Sequence, residues 1–187
     1  MFTLVTMSSG EEKAAQIEPK PLSKEVWNKY FNIEHQKKKQ TWRVSMYSPF
    51  LGGASKAQMI QKFKGEEDGW VQLASVIVGG PMDGKQQKAQ FKVTEKGLLS
   101  KKGGKETISA PFPLTVGQSW KKGDKTVTFQ GFEDYETPTQ TIAKCIVFKT
   151  KDKSGTTSIW YSKDHGYFFA DQELKTGSMT VILDSIK

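Results

Sequence analysis

The chain has 187 residues, a formal charge of +8 and a pI near 9.4, with 36% hydrophobic, 11% aromatic and 26% charged residues. That balance is too apolar and too aromatic for a disordered chain, and the length suits one domain with a substantial core. A lone cysteine, Cys145, excludes an intrachain disulfide and a thiolate metal cluster, and no stretch approaches the roughly 18 to 20 apolar residues of a membrane-spanning helix.

The kind of cation matters as much as the net charge. Arg43 is the sole arginine, so the forked guanidinium that clamps phosphates and reads guanine edges is nearly missing, which argues against a nucleic-acid partner. Lysines supply the charge, in runs at Lys37 to Lys39, Lys101 with Lys102, Lys121 with Lys122, and Lys149, Lys151 and Lys153. At strand ends and turns they read as a solvated surface that blocks edge-to-edge pairing.

Taken in order, the chain opens with "MFTLVTMSSGEEKAAQIEPKP", which lacks a basic n-region and whose apolar piece is shorter than a signal h-region. Residues 1–21 read as a mobile N-terminal arm, and residues 22–187 as a single all-β domain. "PLSKEVWNKYFNI" suits one short helix with Ser23 as N-cap, since Leu22 and Trp27 then take the two positions of a hydrophobic staple. Beyond it the period changes to two. "TWRVSMY" sets Trp42, Val44 and Met46 on one face, "AQMIQKF" sets Ala57, Met59 and Phe63 in phase, and "KAQFKV" aligns Ala89, Phe91 and Val93. "WVQLASVIV" is apolar on both faces and suits a central strand. "KTVTFQGF", "IAKCIVFKT", "TSIWYS", "GYFFA" and "MTVILDSI" follow, separated by turn signals such as Asp83-Gly84, Gly103-Gly104, Gly123-Asp124, Ser154-Gly155, His165-Gly166 and Thr176-Gly177. Short strands with glycine turns at this density predict an antiparallel, hairpin-connected sheet, curled into a half-barrel or closed into a barrel.

Three steps in the C-terminal part, Pro113, Leu114, Gly117 and Trp120, then Thr137, Pro138 and Cys145, then Trp160, Tyr161 and Gly166, resemble the TapB-like group of bacterial envelope proteins. These are β-rich, often lipoproteins, and of largely unassigned molecular function. The chain departs from the group's pattern in having Gln140 where a glycine is usual. The resemblance implies a fold, a periplasmic or cell-envelope location, and a partner that is an envelope protein or an apolar small molecule. It implies no reaction. Physical reading gives the same residues structural roles: Trp120 and Trp160 as core bodies, Gly117 and Gly166 at backbone positions that want positive φ or no side chain.

The search for chemistry yields no catalytic, cofactor-binding or metal residues. A nucleophile at Cys145 needs a histidine brought to it, and His165 sits in "KDHG", whose polarity and closing glycine are hairpin-loop properties. Cys145 itself lies in an apolar strand and reads as a small buried hydrophobe. Glu133, Asp134 and Glu136 form an acidic cluster on a loop before Pro138, without the alternating Asp loop of a calcium site. The expectation is therefore a non-enzymatic cell-envelope binding or structural module. The alternative is a carrier of a lipid or other apolar ligand in the concave face of the sheet. A hydrolase using Cys145 or the Glu133/Asp134/Glu136 cluster stands third.

Overall fold

The computed structural model describes residues 21–137 and 139–187. The arm expected over residues 1–21 therefore lies, apart from Pro21, outside the described residues.

Twelve antiparallel strands form one sheet: β1 Gln40–Ser48, β2 Gly53–Glu67, β3 Trp70–Val78, β4 Gln86–Thr94, β5 Gly97–Lys102, β6 Lys105–Pro111, β7 Ser119–Lys122, β8 Lys125–Glu136, β9 Thr141–Asp152, β10 Gly155–Ser162, β11 Gly166–Leu174 and β12 Gly177–Ile186. The spatial order is β6-β5-β4-β3-β2-β1-β12-β11-β10-β9-β8-β7. Each half is a simple meander, and the β1–β12 ladder joins the halves. The sheet curls until β6 and β7 face each other, giving a nearly closed barrel. Among the described residues no ladder seals that seam. Instead Trp120 Nε1 donates to the Ser109 carbonyl at 3.1 Å and Lys122 Nζ to Ser109 Oγ at 2.8 Å. Burial at the seam pushes the Lys122 pKa down.

The period-two faces fall as the sequence reading has them. Trp42, Val44 and Met46 pair across to Leu183, Val181 and Met179 on one side and to Met59, Ala57 and Ser55 on the other, all on the inner face. Strands β5, β6 and β7 were not singled out from the sequence, because β5 and β7 end in lysine pairs and β6 mixes Lys105, Glu106 and Thr107 with its apolar residues.

Helix α1, Lys24–Phe31, runs inside the curl, capped by Ser23 Oγ, which accepts from the Val26 N–H at 3.4 Å. The staple forms: Leu22 and Trp27 are buried in one cluster, and Leu22 bridges to Leu114 on the β6–β7 connection. Trp27 packs on Phe31, Phe112, Phe148 and Tyr161, with ring centroids 4.8 to 6.1 Å apart. A left-handed Asn32, at φ 48°, turns the chain into the short helix α2, Ile33–Gln36. Among the described residues no helix is long and apolar enough to cross a membrane.

An up-and-down meander sends successive turns to alternate ends of the barrel. The helices and the turns at residues 68–69, 95–96, 137 with 139–140, and 163–165 lie at one end, here the helix end. The turns at 49–52, 79–85, 103–104, 123–124, 153–154 and 175–176 lie at the other, the lysine end.

Candidate functional site

Two apolar clusters divide the interior. The first is built on α1 and draws in Leu98, Ala110, Val127, Phe129, Ile146 and Phe148 from both halves of the sheet. In the second, Trp42, Val44, Ala57, Ile77, Ala170 and Val181 are buried, and Met46, Met59, Met82 and Met179 pack against them half-buried. No helical residue of α1 or α2 joins this second cluster. Met46, Met179 and Met82, from the end of β1, the start of β12 and the 3-10 turn at Gly80–Met82, lie toward the lysine end, and Met59 of β2 lies level with Trp42. Trp42 sits among them fully buried, its ring 4.6 Å from that of Tyr167. Its Nε1 has no hydrogen-bond partner among the described residues, an uncommon state for a buried donor.

A pocket of about 750 Å³ opens on the outer face at the helix end. Its lining includes both histidines, His35 and His165, with Tyr135, Phe168, Phe169 and the ion pair of Arg43 Nε with Asp184 Oδ1 at 3.0 Å. The stretch "KDHG" is a turn between β10 and β11, as expected, and Asp164 and His165 nonetheless line this pocket. His165 Nδ1 lies 3.1 Å from Ser162 Oγ, which also accepts from the His165 backbone N–H at 3.1 Å. That engagement closes the turn. Gly166 takes φ +69°, and a Cβ there would stand 3.1 Å from the Phe31 carbonyl oxygen of α1. Gly117, at φ +83°, meets the positive-φ expectation without such crowding. A second groove, of about 690 Å³ on the outer face of β2 to β5, is lined by Lys62, Lys64, Lys88 and Lys101.

The residues weighed for hydrolysis do not converge. Cys145 is fully buried, its Sγ 3.2 Å from the Ile142 carbonyl, and burial pushes its thiol up to about 11, where it stays protonated at neutral pH. Glu133, Asp134 and Glu136 are all exposed. Asp134 Oδ1 accepts from the Lys144 N–H at 2.8 Å and so holds Lys144 at its positive φ of 53°, whereas Glu136 lines the end pocket. Among the described residues no three His, Cys, Asp or Glu side chains gather as a metal ion would require.

Trp160 departs from its expected place. It points to the outer face, where Tyr135 meets it edge-on with ring centroids 5.2 Å apart, because the inner face of β10 belongs to Ile159 and Tyr161 on either side of it. The register with β11 slips by one residue here, Phe168 being the extra residue. Trp120 does pack on the inner cluster. The methionine cluster was visible in the sequence only as scattered single residues; the β1–β12 register joins Met46 to Met179, a long-range pairing that no local pattern encodes.

No family model matches the chain, TapB-like or other, and no curated protein matches it. Solved structures with a similar course of the chain include an exported protein with a YmcC-like fold from Bacteroides fragilis, at 12% identity and a TM-score of 0.49 over 81% of this chain and 95% of that one. A lipoprotein from Parabacteroides distasonis is similar at 15% identity and a TM-score of 0.46, over 81% and 96% of the two chains. A LolA superfamily protein from Nitrosomonas europaea is similar at 10% identity and a TM-score of 0.35, over 89% and 93%.

Proposed function

We propose that the protein is a non-enzymatic carrier, whose methionine-lined inner face holds an apolar ligand such as a lipid acyl chain. The observation that supports this is the half-buried set Met46, Met59, Met82 and Met179 around Trp42. Methionine is unbranched and polarizable, so such a cluster re-forms around differently shaped apolar guests at low cost. The helix fills one half of the curl and leaves this half to side chains alone. The unpartnered indole N–H of Trp42 adds a donor for one oxygen of a mostly apolar ligand, in keeping with sites that fix orientation through few polar groups. In this proposal residues 22–187 are the carrier domain and residues 1–21 its arm, and a cell-envelope setting follows from the TapB-like resemblance.

The test is titration with the solvatochromic probe N-phenylnaphthylamine, followed by displacement with a long-chain fatty acid. Saturable probe binding, displaced by the fatty acid and weakened about tenfold by Met46→Gln with Met179→Gln, is the expected result. Absence of saturable binding, or binding indifferent to both substitutions, would overturn the carrier reading and leave the structural-module reading in its place.

A further inference from the structure

The two ends of the barrel differ in charge: the helix end mixes both signs and the other end is predominantly basic. At the helix end the turns hold Glu66, Glu67, Asp68, Glu95, Glu136 and Asp164. At the other end the turns read "DGKQ", "KKGGK", "KKGDK", "KDKSG" and "LKTG", and Lys85, Lys105, Lys121, Lys153 and Lys175 are all exposed. Carboxylates do occur there: Asp124 and Glu106 are exposed, while Asp152 is bound to Lys125 at 2.8 Å and to the Ser154 N–H at 2.8 Å, and Asp83 accepts from the Gly79 N–H at 2.6 Å. Lysines occur at the helix end too, among them Lys38, Lys96 and Lys163, but there they stand among the acidic residues of the same turns and helices, whereas at the other end they outnumber the carboxylates in every one of these five turns except the one that holds Asp83.

The remaining turn at the lysine end, between β1 and β2, is of another kind. It reads "SPFLGG", and Phe50 at its tip is 80% exposed, with Tyr47 beside it at 53%. The β11–β12 turn lies next to it, since Tyr47 pairs with Ser178. An exposed aromatic tip within a ring of lysines matches the chemistry of a bilayer interface, where rings enter the headgroup layer and lysines meet its phosphates.

We infer that the lysine end is a docking surface for an anionic lipid bilayer, which the protein meets with Phe50 foremost and its helix end turned away. Duplex nucleic acid shares the phosphates but offers nothing to Phe50, and a ring of lysines around a barrel end does not follow the line of a polyanion. The docking does not depend on the carrier reading, although it would bring the methionine-lined half of the interior to the membrane.

Sedimentation with vesicles of phosphatidylcholine, with and without phosphatidylglycerol, tests it. The whole protein should sediment only with the anionic vesicles, and added salt should release it. Changing Lys121, Lys153 and Lys175 to Gln together should weaken partitioning about a hundredfold, at roughly a factor of five for each lysine near such a surface. Phe50→Ser should weaken it about tenfold. The matched change of Lys38, Lys96 and Lys163 at the helix end should leave it unaltered, with near-ultraviolet circular dichroism confirming that every variant is folded. Equal sedimentation with neutral vesicles, equal loss from the two lysine triples, or tighter binding to duplex DNA at the same phosphate concentration would overturn the docking assignment. If the protein sediments as expected but takes up no apolar probe, docking stands and the carrier reading fails.

Discussion

Trp27 offers a sharp test of how the barrel is filled. It is 1% exposed, and its ring contacts join the helix to the β6–β7 connection and to β9 and β10. Trp27→Ala removes the whole indole from a site that a curled sheet cannot collapse to fill, so a loss of about 3 to 5 kcal/mol is expected. Trp27→Phe is a different perturbation. Its indole nitrogen is buried and has no hydrogen-bond partner among the described residues, and an unsatisfied buried donor costs about 1 to 3 kcal/mol. Losing that donor offsets much of the lost ring area, so Trp27→Phe should fall within about 1 kcal/mol of the parent. Urea unfolding followed by far-ultraviolet circular dichroism measures both, without relying on the tryptophan being replaced. A loss below about 1 kcal/mol for the alanine variant would mean that α1 does not fill the interior. Equal losses for the two variants would mean that the N–H is bonded and the offset wrong.

Two further outcomes follow from the sites described. Cys145 keeps its proton more tightly in the folded protein, with the thiol raised from 9.0 to about 11, so the folded state binds more protons than the unfolded chain between those values. Stability therefore falls as pH rises through that window, and Cys145→Ser, destabilising by about 1 kcal/mol at neutral pH, should flatten the fall by roughly 2 kcal/mol in denaturation measured from pH 8 upward; a rapid stoichiometric reaction of the native thiol at neutral pH would refute its burial. Replacing Asp164 with Asn and His165 with Ser together should change the melting temperature little, whereas Gly166→Val should cost about 3 kcal/mol or more, because it combines positive φ with contact against the Phe31 carbonyl; similar melting temperatures for the two proteins would remove the argument.

The periodicity of "TWRVSMY" and "KAQFKV" was enough to place Trp42, Val44, Phe91 and Val93 on the inner face, since alternation is local. The staple at Leu22 and Trp27 was legible for the same reason. Trp160 was not, because two adjacent aromatics, Trp160 and Tyr161, leave either face plausible, and only the packing of Ile159 and Tyr161 on the inner clusters decides it. The end pocket lay beyond reach for another cause: His35 and His165 meet there through the turn from α1 into α2 and the β10–β11 hairpin, elements far apart in the chain. Nor did the runs at Lys101 with Lys102, Lys121 with Lys122, and Lys149, Lys151 and Lys153 reveal their common end until the turns could be sorted by alternation along the meander.

The order of the strands also bears on how the chain reaches its fold. Within β1 to β6, and again within β7 to β12, every ladder joins strands adjacent in sequence, the kind of short-range pairing that forms early and fast. Joining the halves requires the β1–β12 ladder, drawn from opposite ends of the described chain, and the docking of α1 between them. The helix precedes the first meander in the chain yet packs Trp27 against Phe148 and Tyr161 of the second. It thus acts as a clasp between two half-sheets that are each nearly complete by themselves. Cleavage in the connection at residues 115–118, outside both meanders, would leave two fragments whose complementary surfaces, one strand edge and one helix groove, direct their reassociation.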